Sequence, residues 1–184
     1  RGQTPGRGAR VVAGGDGRIE ARRGGVRGAW RRVAEAKGSG ADGASALRQV
    51  QSFNVVHRDV KPHNILLLKG WAKRGDFGGA VHGPLATGRA GTVAYMAPEM
   101  LDGATSYGYM VDVWSLGCVI GAMLGRAHRP PFKGGSVAET VARIAACRPV
   151  HTPHPAAVMA KLLQPVTVRG DLAAVEAWAK EEEV

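Results

Sequence analysis

The 184-residue sequence predicts a mainly α (α+β) fold, a helical bundle with a short β hairpin beside it. Three observations predict this. The stretch from Met110 to Leu124 is apolar on nearly every face, which marks a central buried helix rather than a surface one. Shorter amphipathic stretches with start and stop signals follow it. Ahead of it, Ile65-Leu66-Leu67-Leu68 is a short apolar run suited to a buried strand.

The elements follow in order. Residues 1–43 hold 12 of the 27 glycines, nine Arg and one Lys against four acids, and a single aromatic residue, Trp30. Such a stretch cannot bury enough apolar surface to offset its ordering entropy, so it reads as a disordered Gly/Arg-rich segment. The folded unit is then 44–184. Leu47, Val50 and Phe53 give a short helical remnant, and Val55-Val56 is extended. After the long helix, Pro131-Phe132 precedes a capping box of Ser136 and Glu139, with Val137, Val141 and Ile144 as the stripe behind it. Pro155 opens a further helix with Val158, Leu162 and Leu163 inward, and Pro165 ends it. Asp171 caps a last helix through Leu172, Val175 and Trp178.

Composition narrows the function classes. Apolar residues at 45% and charged residues at 22% are ordinary for a globular chain. Lys and Arg number 25 against 15 Asp and Glu, a net charge of +10, which suits phosphate-bearing partners. The Arg22-Arg23-Gly24-Gly25 cluster could touch RNA, but a solvated linker or misassigned coding sequence outweighs that reading, so no nucleic-acid partner is expected. Two cysteines, Cys118 and Cys147, exclude a disulfide scaffold and a four-cysteine zinc site. His151 and His154 lie in a Pro-rich loop and read as loop residues, not metal ligands. The longest uncharged apolar run, Val113 to Gly125, is too short to span a bilayer, and no secretory signal opens the chain. The expectation is an intracellular, by default cytoplasmic, protein with no membrane partner.

The informative segment is His57-Arg58-Asp59-Val60-Lys61-Pro62-His63-Asn64, with Asp76-Phe77-Gly78 beginning twelve residues after Asn64. It offers carboxylate and amide oxygens and one cation within a short hairpin. Phosphoryl transfer needs those groups: hard oxygens for Mg2+, a positive charge on the migrating phosphoryl, and an acceptor for the hydroxyl proton. An isolated Asp-Phe-Gly carries no weight. The octapeptide, its spacing to Asp76 and the Ala97-Pro98-Glu99 beyond are together very specific.

On these residues the sequence resembles the C-terminal lobe of a eukaryotic-type protein kinase, from roughly Ala44 to Trp178. The resemblance implies a kinase-like C-lobe helical bundle with its β hairpin at the catalytic loop. It implies Asp59 as the catalytic base, Asn64 and Asp76 as Mg2+ ligands, and Lys61 on the γ-phosphate. Lys61, Asn64, Leu66 and Asp76 would meet the ATP, and His57 and Phe77 would pack the catalytic loop on the metal-binding loop. Arg58 resembles the arginine that receives an activation-segment phosphate, here on Thr87, in a Gly- and Ala-rich stretch with little reason to be ordered by itself. Gly91 to Glu99 resembles the end of that segment. Asp112-Val113-Trp114-Ser115-Leu116-Gly117 resembles the start of the buried helix, whose Asp receives catalytic-loop amides. Arg169 resembles the arginine that pairs with Glu99. Lys61 and the Gly91-Thr92 pair before Tyr95 resemble Ser/Thr kinases rather than tyrosine kinases, and Thr92 would hydrogen-bond near Asp59 and Lys61.

The resemblance thus implies a Ser/Thr kinase that moves the γ-phosphoryl of ATP to protein substrates. Its N-terminal lobe is missing or replaced: Gly24-Gly25-Val26-Arg27-Gly28 has no flanking strands, and no Val-Ala-Ile-Lys-like strand exists. Since the chain starts at Arg, a fragment or a mispredicted first exon is expected, inactive alone. The alternative is a non-catalytic kinase-derived module that docks partner proteins. The Asn64-to-Asp76 hairpin is slightly short for the family, Arg74 stands where an apolar strand residue is usual, and the Cys147-to-Pro155 loop is short.

Overall fold

A computed structural model describes residues 40–68, 71–74, 77–101, 103, 105–125, 129–151 and 157–181, with 65–68 and 71–74 described by their backbone. The expected segment 1–43 lies outside these residues except for 40–43, and so do Asp76, His154 and Pro155. Helix α1 covers residues 40–52, so 40–43 are helical, ahead of the boundary expected at residue 44. Ala44 and Leu47 are fully buried on its inner face. Phe53 does not extend the stripe: it sits in the turn after the helix and is 66% exposed, because the chain reverses at Asn54 with φ 57°.

Four short strands follow. β1 (Val55–Val56) pairs antiparallel with β4 (Val81–His82), Val55 opposite His82. Between them, β2 (Ile65–Leu68) and β3 (Trp71–Arg74) form an antiparallel hairpin with Ile65 opposite Arg74. The expected hairpin is therefore present, and Arg74 lies in it. Because β1 ends at Val56 and β2 begins at Ile65, the octapeptide 57–64 is held at both ends by paired backbone.

The core centres on α2 (Met110–Leu124), in which every residue from Val111 to Met123 is buried. Burial on all faces agrees with the sequence pattern and requires neighbours on all sides. One is α4 (Ala157–Leu162), and the close approach depends on Gly121, where a Cβ would lie 2.4 Å from the Met159 methyl and 2.6 Å from Pro131. Trp114 stacks on Phe132 at 5.0 Å between ring centroids.

Helix α3 (Val137–Ala145) begins at Ser136, whose hydroxyl accepts from the Glu139 amide at 3.1 Å. The Glu139 carboxylate returns to the Gly135 amide rather than to Ser136. Only part of the expected stripe points inward: Ile144 is buried, but Val137 is 68% exposed and Thr140 takes the inner place. Thr140 fits there because its hydroxyl is bonded to the Ser136 carbonyl and the Gly134 amide. Helix α5 (Leu172–Lys180) starts at Asp171, which accepts from the Ala173 amide, and buries Leu172, Val175 and Trp178 as expected. A two-pronged ion pair, Arg48 to Glu176, ties α1 to α5.

Candidate active site

The octapeptide is anchored from the core. Asp112, in the first turn of α2 and 1% exposed, accepts from the His57 amide at 2.8 Å and the Arg58 amide at 2.9 Å. Charged acceptors make such bonds short and strong. They hold Arg58 at φ 68°, a left-handed conformation that a non-glycine residue keeps only when its surroundings over-determine it. The Arg58 side chain adds a third restraint, its Nε donating to the Gly79 carbonyl at 2.6 Å. The buried His57 ring accepts from the Asp59 amide through Nδ1 and packs on Phe77 at 4.9 Å between centroids, as expected.

Asp59 is the hub of the polar groups. Its Oδ2 accepts from Lys61 Nζ at 2.7 Å and Asn64 Nδ2 at 3.0 Å. Its Oδ1 accepts from both the amide and the hydroxyl of Thr92, each at 3.1 Å. Thr92 Oγ1 in turn accepts from Lys61 Nζ at 3.0 Å, closing a ring of three side chains. Partial burial pushes the Asp59 pKa up, but the Lys61 ammonium and the two Thr92 donors outweigh it and hold the carboxyl below its usual value. At neutral pH the group is a carboxylate that a hydroxyl can approach.

Thr92 reaches Asp59 because Gly91 precedes it. Gly91 has φ 89°, and a Cβ there would lie 2.3 Å from the Arg58 carbonyl oxygen and 3.1 Å from Asp59 Oδ1. Only glycine allows that approach. Beyond it, Glu99 meets Arg169 in a bidentate pair at 2.6 and 2.8 Å. Arg169 also donates to the Gln164 and Met110 carbonyls, and its guanidinium lies 5.0 Å over the Trp114 ring. The pair therefore joins the segment to α2 and to the loop before α5.

Of the expected site residues, the structure brings together His57, Arg58, Asp59, Lys61, Asn64, Phe77, Thr92 and Asp112 in one place, and pairs Glu99 with Arg169. Arg58 meets Thr87 through the Thr87 backbone carbonyl, at 3.2 Å, not through its hydroxyl. The stretch around Thr87, expected to have little order by itself, is held by backbone pairing of Ala86 with the distant Tyr107. The Leu66 side chain and Asp76 lie outside the described residues. Gly91 and Tyr107 carry parts of the site that no residue-type signal assigned, although the Gly-Thr pair itself was visible.

Mg2+ takes oxygen ligands. With Asn64 Nδ2 committed to the Asp59 carbonyl and carboxylate, the amide oxygen of Asn64 is the part of that side chain left to face a hard cation. Asn64 fits the metal; its expected partner is Asp76. Among the described residues no cluster of three His, Cys, Asp or Glu forms a metal site of another kind. Cys118 is buried in α2, and burial pushes its thiol pKa up, so it reads as core.

The protein kinase domain family model matches residues 34–163. The chain belongs to that family. As a protein kinase domain it is 40% identical over 109 residues to Aurora kinase B of Danio rerio, covering 55% of this chain and 32% of the relative. It is 43% identical over 105 residues to an Aurora kinase of Patiria pectinifera, covering 55% and 25%. It is 43% identical over 98 residues to the serine/threonine-protein kinase DCLK1 of Rattus norvegicus, covering 50% and 22%. This kinase chain thus spans about a third or less of the length of the relatives it matches. Among its described residues no helix is long and apolar enough to cross a membrane.

Proposed function

We propose that the chain is the C-lobe of a Ser/Thr protein kinase, which moves the γ-phosphoryl of ATP to serine and threonine hydroxyls of protein substrates. The observation that carries this reading is the closed ring of Asp59, Lys61 and Thr92, with Asn64 on the same carboxylate. Phosphoryl transfer asks little covalent chemistry of a protein and depends on positioning and charge. Asp59 orients the incoming hydroxyl and accepts its proton as the new oxygen–phosphorus bond forms and the bond from the γ-phosphorus to the β–γ bridging oxygen breaks, with ADP as the leaving group. The Lys61 ammonium, 2.7 Å from Asp59, stands where it can neutralise the migrating phosphoryl. Asn64, with Asp76, would hold Mg2+, which when bound would neutralise the charge of the phosphate oxygens. Thr92 keeps Asp59 and Lys61 in register and so couples the substrate-side segment to the reacting groups.

The Ser/Thr preference is supported by Thr92 bonding to both Asp59 and Lys61, and by the printed name of one relative. The test is phosphoamino-acid analysis after transfer from γ-labelled ATP, using the chain joined to the N-lobe of a matched Aurora relative. Label on phosphoserine and phosphothreonine is expected. Label on phosphotyrosine alone would overturn the assignment, and no transfer at all would favour a non-catalytic, partner-docking lobe.

A further inference from the structure

Residues 79–92 carry Thr92 to Asp59, and a contact outside the octapeptide holds their middle in place. Tyr107, 4% exposed, is bridged to Ala86 by two backbone hydrogen bonds of 2.8 and 2.9 Å. Its hydroxyl donates to the Gly88 carbonyl, with the Thr87 carbonyl 3.4 Å away. Arg58 Nη1 also donates to the Thr87 carbonyl, at 3.2 Å, while its Nε holds the Gly79 carbonyl. The Thr87 residue itself is exposed. Two side chains thus grip adjacent carbonyls, and the grip lies between the Gly79 anchor and the Gly91 turn.

We propose that Tyr107 is a positioning residue of the Asp59 site, which together with Arg58 clamps residues 87–88 and seats Thr92 on Asp59 without a phosphate on Thr87. The Arg58 fork is already committed to two carbonyls, so the segment needs no added charge to draw it in. Only Arg89 and Ala90 lie between Gly88 and Gly91, and both glycines have positive φ, at 77° and 89°. Freeing the Gly88 carbonyl therefore loosens the turn that delivers the Thr92 amide to Asp59. That role rests on the proposed function of Asp59, whereas the clamp is read without phosphoryl transfer, so each fails separately.

The experiment is hydrogen–deuterium exchange on the full chain, unphosphorylated by intact mass, following the Thr92 amide against the amides of α2. Wild type is expected to protect Thr92. Tyr107→Phe should speed its exchange by roughly two- to tenfold, the size of one net hydrogen bond, with α2 unchanged. Thr87→Ala should leave Thr92 protected. If Tyr107→Phe speeds every amide, Arg58→Lys decides, since it keeps the charge but loses the fork: faster Thr92 exchange over an unchanged α2 supports the clamp. A Thr92 amide unprotected in wild type, insensitive to Tyr107→Phe or to that deciding Arg58→Lys, or exposed by Thr87→Ala would overturn it.

Discussion

A carboxylate that receives four hydrogen bonds, three from side chains and one from the Thr92 backbone amide, is stabilised as an anion, and this sets the pH behaviour of Asp59. Its folded pKa lies below the ordinary value, so its contribution to stability is complete above that value and is lost as pH falls through the lowered one. Asp59→Asn should therefore flatten the acid limb of the stability curve below about pH 4, read by thermal unfolding across pH. An unchanged acid limb would mean the Lys61 and Thr92 bonds do not form. Gly91→Ala should displace the segment, since its Cβ would fall 2.3 Å from the Arg58 oxygen. The expected result is exposure of Thr92 to exchange and a loss on the order of 1–3 kcal/mol by unfolding. Asp59, Lys61 and Asn64 were legible in the sequence because they lie within one octapeptide and their chemistry is particular. Gly91 and Tyr107 were not, because one acts through a backbone angle and the other through a carbonyl far along the chain.

At the scale of elements, the Glu99–Arg169 pair fastens the segment that ends at Glu99 to α2. The Arg169 side chain has no exposed surface, and it serves Glu99, two carbonyls and the Trp114 ring at once. Arg169→Ala leaves Glu99 as an uncompensated, largely buried charge, and about 3–5 kcal/mol should be lost from the unfolding free energy. A midpoint unchanged within error would contradict the pairing. Gly121→Ala is the packing counterpart: its methyl meets Met159 and Pro131, and overpacking of this kind costs about 1–3 kcal/mol. The all-round apolar pattern made α2 legible, and the Ser136 and Asp171 caps marked the starts of α3 and α5. The errors fell at element ends. Phe53 and Val137 are apolar residues one step outside or at the first turn of their helices, where periodicity cannot tell an inward from an outward face.

For the whole molecule, the central claim is that these elements hold one half of a phosphoryl-transfer site. The sequence pattern gives no expectation of a Gly-rich strand turn followed by a strand lysine; on that reading the phosphates of a nucleotide would be held from one side and much of the gain from positioning would be lost. The 184 residues alone should transfer phosphate to a generic basic protein at no useful rate. A rate equal to that of a complete kinase would contradict this. The measurement that tests the claim most directly is transfer from γ-labelled ATP by the chain joined to an Aurora N-lobe, compared with its Asp59→Asn variant. Transfer lower by about 10²–10⁴-fold in the variant, with its Glu99–Arg169 stability intact, is the predicted result. Equal transfer by the two would contradict the assignment of Asp59 as the residue that takes the hydroxyl proton.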